Sequence, residues 1–173
     1  MEFVFETDYN QKAMTAMART LRKTLRKKKS RRSHIFGIIF TIICLLIVIP
    51  FGDDYKFGMN KIVTALVAMA LIVVLIWEDR INGYTARKRM LAGMEKSTAI
   101  FTEDGYTSEV ALGKSEWSYE RMLLIAETAD YFVFVFSQNH AQIYDKAGMS
   151  GGTAEEFREF IERKTGKSVV SVK

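Results

Sequence analysis

Proline, cysteine and histidine are scarce in this sequence: its 173 residues include one proline, one cysteine and two histidines. A single cysteine, Cys44, excludes a scaffold held together by disulfides within the chain. The scarce proline, together with 12% aromatic residues, excludes an intrinsically disordered chain. A metal centre needs several converging His, Cys or carboxylate ligands. His34 borders an apolar run and His140 lies in a polar turn, so we expect no metal site and no cofactor.

Two motifs of common catalytic sites are also missing. No G-x-x-x-x-G-K-[ST] and no H-E-x-x-H occurs, so the sequence offers no Walker loop and no zinc-protease helix. Gly151 and Gly152 precede a helical pattern and could present amides to an anion, but a flexible linker explains them as well. We therefore predict that the protein is not an enzyme.

Acidic residues are absent between Arg19 and Arg32, where positive charge is concentrated. The chain has 25 Lys+Arg and 20 Asp+Glu, a formal net charge of +5, and nine of the bases lie in that segment. Without them, 16 bases face 20 acids, so the rest of the chain is slightly acidic. Nucleic-acid-binding domains are basic over a whole face. We therefore expect no nucleic-acid partner.

Charge is also absent from two apolar runs, Ile35–Phe51 with 17 residues and Ile62–Trp77 with 16. A helix of 17 residues is about 25 Å long, close to a hydrocarbon core of about 30 Å. A buried helix pair in a soluble bundle is the alternative, but two uncharged runs so close together favour membrane spans. We predict transmembrane helices at 34–51 and 62–77 and a loop at 52–61. A cleaved signal peptide is not expected, because the first run begins late and no A-x-A site stands directly after it.

The bases around the two runs predict their orientation. Nine Lys/Arg lie in the 14 residues before Ser33 and four more closely follow the second run, whereas the loop offsets two lysines with Asp53 and Asp54. Cytoplasmic flanks of membrane spans carry an excess of Lys and Arg. We therefore predict a multi-pass protein of the plasma membrane with both termini in the cytoplasm and the short loop outside.

The N-terminal residues predict a strand and then a helix. Residues 1–6 alternate, with Phe3 and Phe5 on one face, and so short a strand must join a sheet formed elsewhere in the chain. Residues 7–33 predict a basic juxtamembrane helix that is capped by Thr7 or Asp8 and continues into the first span. Its apolar stripe should pack on the domain or the partner helix; the alternative is a helix lying on the membrane surface. The stripe comprises Met14, Met17, Leu21 and Leu25.

Beyond the second run, residues 78–97 predict a helical extension that ends near Gly93, and residues 98–173 predict strands followed by a helix. Thr153 and Glu156 form a capping box for that last helix, and Gly166 ends it. The predicted strands are Thr98–Thr102, Tyr106–Leu112, Ser115–Ser118, Met122–Glu127, Tyr131–Ser137 and Ala141–Tyr144. The predicted fold class is α+β: a transmembrane helix hairpin on a helical stalk, with a small antiparallel sheet or half-barrel closed by a C-terminal helix.

Several motifs in this last region resemble those of one family. They are FTEDGY at Phe101–Tyr106, EWS at Glu116–Ser118, ETADYFVFVF at Glu127–Phe136, A-x-I-Y-x-K at Ala141–Lys146, and the helix TAEEFREFI. Together they resemble the YcxB-like domain of small bacterial membrane proteins, although Asp145-Lys146 replaces the Pro-Lys that often ends the family's last strand. The resemblance implies a reduced pleckstrin-homology-type fold in a bacterial inner membrane. It implies no activity and no functional residues.

These patterns favour a membrane-anchored, non-catalytic cytoplasmic module that binds or regulates a protein partner of unknown identity. The alternatives are a protein that binds anionic lipid and an immunity or self-protection protein. The candidate contacts for anionic lipid are Arg22, Lys23, Arg26, Lys27, Lys28, Lys29, Arg31 and Arg32. The same charges are also expected simply to keep the N-terminus inside. Self-association through small-residue pairs in the spans, Gly37 with Thr41 and Thr64 with Ala68, is a further expected partner interaction.

Overall fold

The computed structural model describes residues 2–49 and 58–172, and these form an α+β structure with four α-helices and two sheets. The helices are α1 (Gln11–Lys23), α2 (Lys27–Val48), α3 (Met59–Lys88) and α4 (Ala154–Thr165). The strands are β1 (Phe3–Asp8), β2 (Lys96–Phe101), β3 (Tyr106–Val110), β4 (Gly113–Trp117), β5 (Leu124–Glu127), β6 (Tyr131–Ser137), β7 (His140–Asp145), β8 (Met149–Ser150) and β9 (Val170–Ser171). The end of the predicted span 34–51 and the loop residues Asp53 and Asp54 lie outside the described residues.

The N-terminal strand occupies an interior position in the first sheet. That sheet has the order β4-β3-β2-β1-β8, so β1 lies between β2 and β8. Its pairing with β2 is antiparallel, and Phe3 faces Phe101 across the two strands. Phe3 and Phe5 are fully buried, as the alternating pattern of the first six residues predicts. The two ends of the chain therefore build one domain around the helices between them.

The second sheet has the order β7-β6-β5-β9 and is buried on both faces at β6. One face of β6 carries Phe132 and Phe134 into an aromatic core shared with the first sheet and α4. The other face carries Val133 and Val135 into a second core that includes Leu21 of α1. The prediction of a small sheet or half-barrel closed by the C-terminal helix alone therefore described the domain incompletely. The described strands form two sheets and no closed barrel, and α1 covers the outer face of the second sheet.

Helix α1 begins and ends at residues other than those predicted. Asn10 is the N-cap, and its side chain accepts a hydrogen bond from the amide of Ala13. The prediction of Thr7 or Asp8 was wrong because both residues lie in β1. The prediction of one continuous helix through residues 7–33 was also wrong. Helix α1 ends at Lys23, and a turn at residues 24–26 separates it from α2.

The stalk after the second apolar run is shorter than predicted. Helix α3 has a kink at Trp77, continues to Lys88, and is followed by irregular structure before β2. The predicted helical extension over 78–97 is therefore correct only for its first half. Gly93 does not stop a helix; it adopts a positive φ of 91° in the segment that leads into β2.

The C-terminal part matches its prediction more closely. Thr153 and Glu156 form a capping box at the start of α4, and Gly166 ends the helix with φ of 65°. The sequence pattern did not reveal β9, which pairs in parallel with β5 through Val170 and Ser171. Because β9 is only two residues long, it has no periodic pattern from which a strand could be predicted.

Helices α2 and α3 are long, apolar and largely exposed. They contain 22 and 30 residues, and both are long and apolar enough to cross a membrane. Their buried residues are Thr41 and Cys44 in α2 and Ala68 and Gly83 in α3. A core helix of a soluble protein would bury its apolar side chains, whereas most apolar side chains of these two helices are exposed.

Candidate functional site at a basic elbow

The turn between α1 and α2 gathers most of the chain's concentrated positive charge, and we call residues 22–32 the basic elbow. The C-cap of α1 is Thr24, whose φ of −108° and ψ of −100° are not helical. The amide of Arg26 donates a hydrogen bond back to the carbonyl of Leu21, and the amide of Lys27 donates one to Thr24. These bonds hold the turn, so that the bases before and after it lie on two helices.

Arg22 is bound by carboxylates of α3. Its Nε and Nη2 atoms donate to the two carboxylate oxygens of Asp79 at 2.5 and 2.7 Å, and Nε lies 3.6 Å from Glu78. The hydrogen bonds to Asp79 raise the pKa of Arg22 above its ordinary value. Such a bidentate pair fixes geometry as well as charge. Arg22 therefore joins α1 to α3, a role that its position within a run of bases does not distinguish.

Glu78, the neighbour of Asp79 on α3, adds a second connection, to α2. Its Oε2 atom lies 2.5 Å from Nε2 of His34 and accepts a longer hydrogen bond from Ser30 of α2. The acidic pair Glu78 and Asp79 thus links all three long helices where the apolar runs begin and end. His34 contacts a carboxylate in this network, and His140 packs beside Trp117 and Phe136 in the domain.

Arg26 connects the elbow to the domain. Its Nε atom donates to the carbonyl of Gln138 at 2.7 Å, and Nη2 donates to Oδ1 of Asn139 at 2.8 Å. Both acceptors belong to the turn between β6 and β7. Of the eight bases predicted to contact anionic lipid, the structure thus turns Arg22 and Arg26 towards protein groups. Nothing in the local sequence could separate them from their neighbours, because their acceptors lie 57 and 112 residues away.

The other six bases are exposed: Lys23, Lys27, Lys28, Lys29, Arg31 and Arg32. A cleft of about 740 Å³ divides them into two groups. Its helical wall contains Arg22, Lys23, Thr24, Lys27, Ser30 and Arg31, and its opposite wall is Val170, Ser171 and Val172. Lys28, Lys29 and Arg32 do not line this cleft. No carboxylate side chain is among the described residues that line it.

The start of α2 concentrates positive charge where a helix is already positive. Arg26 is the N-cap and makes no capping hydrogen bond with its side chain, and the first turn contains no acidic residue. The amino end of a helix carries a partial positive charge. Lys27, Lys28 and Lys29 therefore repel that end and one another. An anion at this elbow would relieve both repulsions.

Other chemistry has little basis in the described residues. Within 2–49 and 58–172, no group of three or more His, Cys, Asp or Glu residues could hold a metal ion. Cys44 is buried between the apolar helices. Tyr106 and Tyr144 both donate to Oε1 of Gln142 inside the aromatic core. Burial raises the pKa of Tyr144 well above its ordinary value, which keeps that hydroxyl neutral and makes it a structural donor.

The fold and the elbow together define an α+β protein whose domain is assembled around two long apolar helices. Residues 101–161 match the family model described as YcxB-like protein. The chain therefore carries a YcxB-like domain, as the motifs between Phe101 and Ile161 predict. No curated protein and no solved structure was found to match the chain. The matched segment runs from the end of β2 into α4, so the basic elbow lies outside it.

Proposed function

We propose that this protein is a membrane-anchored, non-catalytic module that holds its YcxB-like domain at the cytoplasmic face of a bacterial plasma membrane. The observation that carries the proposal is the exposure of two long apolar helices, α2 and α3, most of whose apolar side chains are not covered by the described chain. Transferring such helices into a bilayer removes their apolar surface from water. The bases of the elbow precede the apolar run that begins at Ile35, and they favour a cytoplasmic position for that end.

The way in which the domain is attached supports a regulatory role. Strand β1 precedes the two apolar helices in sequence and β2 follows them. Because β1 pairs with β2, both ends of the helix pair connect to the same domain. Arg22 ties α1 to α3, and Arg26 ties the elbow to the β6–β7 turn. A displacement of the apolar helices would therefore be passed to the domain through bonded contacts instead of through a flexible linker.

The first sheet of this protein has an open strand edge to which a protein partner could bind. Strand β4 is the outer strand of the first sheet, and its residues from Gly113 to Glu116 are exposed. Peptides add to exposed sheet edges through main-chain hydrogen bonds. We also propose the finer fold assignment, a reduced pleckstrin-homology-type half-barrel. It is supported by the two sheets that share one aromatic core closed by α4.

The apolar helices pack on each other within one chain. Adding a Cβ atom at Gly37 would place it 2.9 Å from a methyl carbon of Leu75 on α3. Thr41 and Ala68, which were expected to support self-association, are buried. These small residues therefore serve the contact between α2 and α3. Association of two copies through these helices stays a prediction.

Reporter fusions test the proposed anchoring. A reporter that is active only in the cytoplasm and one that is active only outside would be fused at Lys173 and at Tyr55. We expect the Lys173 fusion to report the cytoplasm and the Tyr55 fusion to report the outside, because the bases flank both outer ends of the helix pair. A common compartment for both fusions would contradict the proposal.

A further inference from the structure

We propose that the cleft of the basic elbow binds the phosphate group of an anionic membrane lipid. The inference rests on the proposed membrane anchoring and names the ligand of the elbow. It assigns different roles to neighbouring bases: Lys27 and Arg31 face the cleft, whereas Lys28 and Arg32 do not line it. A general attraction of the basic segment to an anionic surface makes no such distinction.

The charge of the cleft selects an anion. Lys27 and Arg31 are four residues apart on α2 and therefore lie on one face of the helix. Both are exposed, and within the described chain neither takes part in an ion pair. Arg22 adds a guanidinium that Asp79 holds in place at one side of the cleft. Guanidinium and ammonium groups are the standard donors to phosphate oxygens.

The position of the cleft along α2, close to the first apolar turn, indicates that a lipid supplies this anion. The apolar run begins at Ile35, so Arg31 lies about 6 Å and Lys27 about 12 Å before it along the helix axis. The headgroup layer on each side of a bilayer is roughly 5–7 Å thick, and long basic side chains extend several ångströms further. Their charged ends can therefore reach the phosphate layer next to the first apolar turn.

The second wall makes the cleft more than a row of surface bases. Val172 is buried in the core beneath the second sheet, and its amide donates to the carbonyl of Glu127. This bond holds the C-terminal residues opposite Lys27 and Arg31. The volume of about 740 Å³ lies within the usual range of ligand pockets. The cleft is thus bounded by residues of α1, α2 and β9, together with Thr24 and Val172.

Paired substitutions in nanodiscs test the assignment. The full chain would be reconstituted in phosphatidylcholine that contains a minority of phosphatidylglycerol, and the lipid retained on the protein would be measured by native mass spectrometry. Lys27→Gln with Arg31→Gln removes two charges from the cleft. Lys28→Gln with Arg32→Gln removes the same charge at the same spacing outside it. Lys27→Arg with Arg31→Lys keeps the charge of the cleft.

We expect the cleft pair to lower the preference for phosphatidylglycerol at least tenfold, since charge-assisted hydrogen bonds to the bound phosphate are lost. The pair outside the cleft should change it by no more than about twofold, because only bulk attraction is lost. The charge-preserving pair should retain the preference. Equal losses from both Gln pairs, or no loss from the cleft pair, would overturn the proposal.

A competition experiment separates the lipid from a soluble phosphate compound. Inorganic phosphate added to the nanodiscs should displace phosphatidylglycerol only weakly, because the lipid is held at the surface at a high local concentration. Complete displacement by an equal amount of inorganic phosphate would assign the cleft to a soluble ligand and overturn the proposal. Lipid retention in nanodiscs does not depend on which side of a cell membrane the domain occupies. A failed topology test would therefore contradict only the proposed cytoplasmic position of the domain.

Discussion

At the scale of single residues, one carboxylate holds three parts of the domain together. Glu127 of β5 accepts two hydrogen bonds from Arg158 of α4, at 2.7 and 2.8 Å, and one from Nζ of Lys146 at 2.5 Å. The hydrogen bonds from Arg158, and then the one from Lys146, hold the pKa of Glu127 below its ordinary value. Folding therefore favours the ionised form of this carboxyl.

We expect Glu127→Gln to lower the free energy of unfolding by about 1–3 kcal/mol at neutral pH, the usual contribution of hydrogen bonds to charged groups. The lowered pKa gives the pH dependence its sign. The stabilisation by Glu127 is complete above the ordinary carboxyl pKa and is lost as the pH falls through the lowered value. The difference between wild type and variant should therefore narrow in acid, as denaturant titrations in detergent at several pH values would show.

Glu155→Gln is the matched control for this prediction. Glu155 is exposed, and its oxygen lies 3.9 Å from Arg158, so its loss should change the stability by less than about 1 kcal/mol. A difference between wild type and Glu127→Gln that grows in acid would contradict the assigned direction of the pKa.

At the scale of elements, the contact between α1 and α3 depends on a glycine. Gly83 is buried, and a Cβ atom there would lie 2.7 Å from the amide nitrogen and 2.8 Å from the Cα atom of Thr15. The two helix backbones therefore touch directly. Gln11 reinforces the contact, because its side-chain amide donates to the carbonyl of Arg80. Only a residue without a side chain fits at this crossing.

We expect Gly83→Ala to separate α1 from α3 and to destabilise the protein. Alanine improves helix propensity by about 1 kcal/mol, but overpacking costs about 1–3 kcal/mol. The cost should prevail because the clashing atoms belong to the backbone of Thr15 and cannot rotate away. Thermal unfolding in detergent would measure the effect. Asn82→Ala, an exposed neighbour on α3, should be neutral or stabilising, and a Gly83→Ala variant as stable as this control would refute the expectation.

The strands after the apolar helices show what patterns within an element predict. The span of Tyr131–Ser137 agrees with its prediction, and β2, β3 and β7 differ from theirs by one or two residues at one or both ends. The break at residues 24–26 was not predictable in the same way, since helix-forming residues continue through it. The break arises because α1 packs on the second sheet whereas α2 packs along α3. Neither contact can be predicted from a local sequence pattern.

At the scale of the whole molecule, the apolar helix pair is an insertion within one domain. Phe3 and Phe5 lie in the same aromatic core as Phe101, Phe132 and Phe157, although the helices separate them in sequence. Removing a fully buried Phe side chain typically costs about 3–5 kcal/mol. A fragment without β1 would lose two such side chains and would expose the edge of β2.

We therefore expect a fragment of residues 97–173 to be unfolded or readily proteolysed, because it contains the matched YcxB-like segment but not β1. Limited proteolysis around Gly148–Gly152 would compare this fragment with the full chain. In the full chain, backbone atoms of β1 lie against this segment and protect it. A fragment that is as resistant as the full chain would show that β1 is dispensable and would contradict the expectation.

The sequence by itself determined the features that depend on neighbouring residues. Strand alternation, the two apolar runs, the capping box at Thr153 and the glycine that ends α4 each arise within a few residues, where local sterics and hydrogen bonds decide. The family motifs belong to the same class, because they fall in consecutive strands and turns.

Only the tertiary structure decided how the bases of the elbow are used. Arg22 binds Asp79, and Arg26 binds the β6–β7 turn. Lys27 and Arg31 face a cleft whose other wall is the C-terminal segment. These bases are alike in local sequence. Their roles differ because each depends on an acceptor or a wall that folding brings from a distant part of the chain.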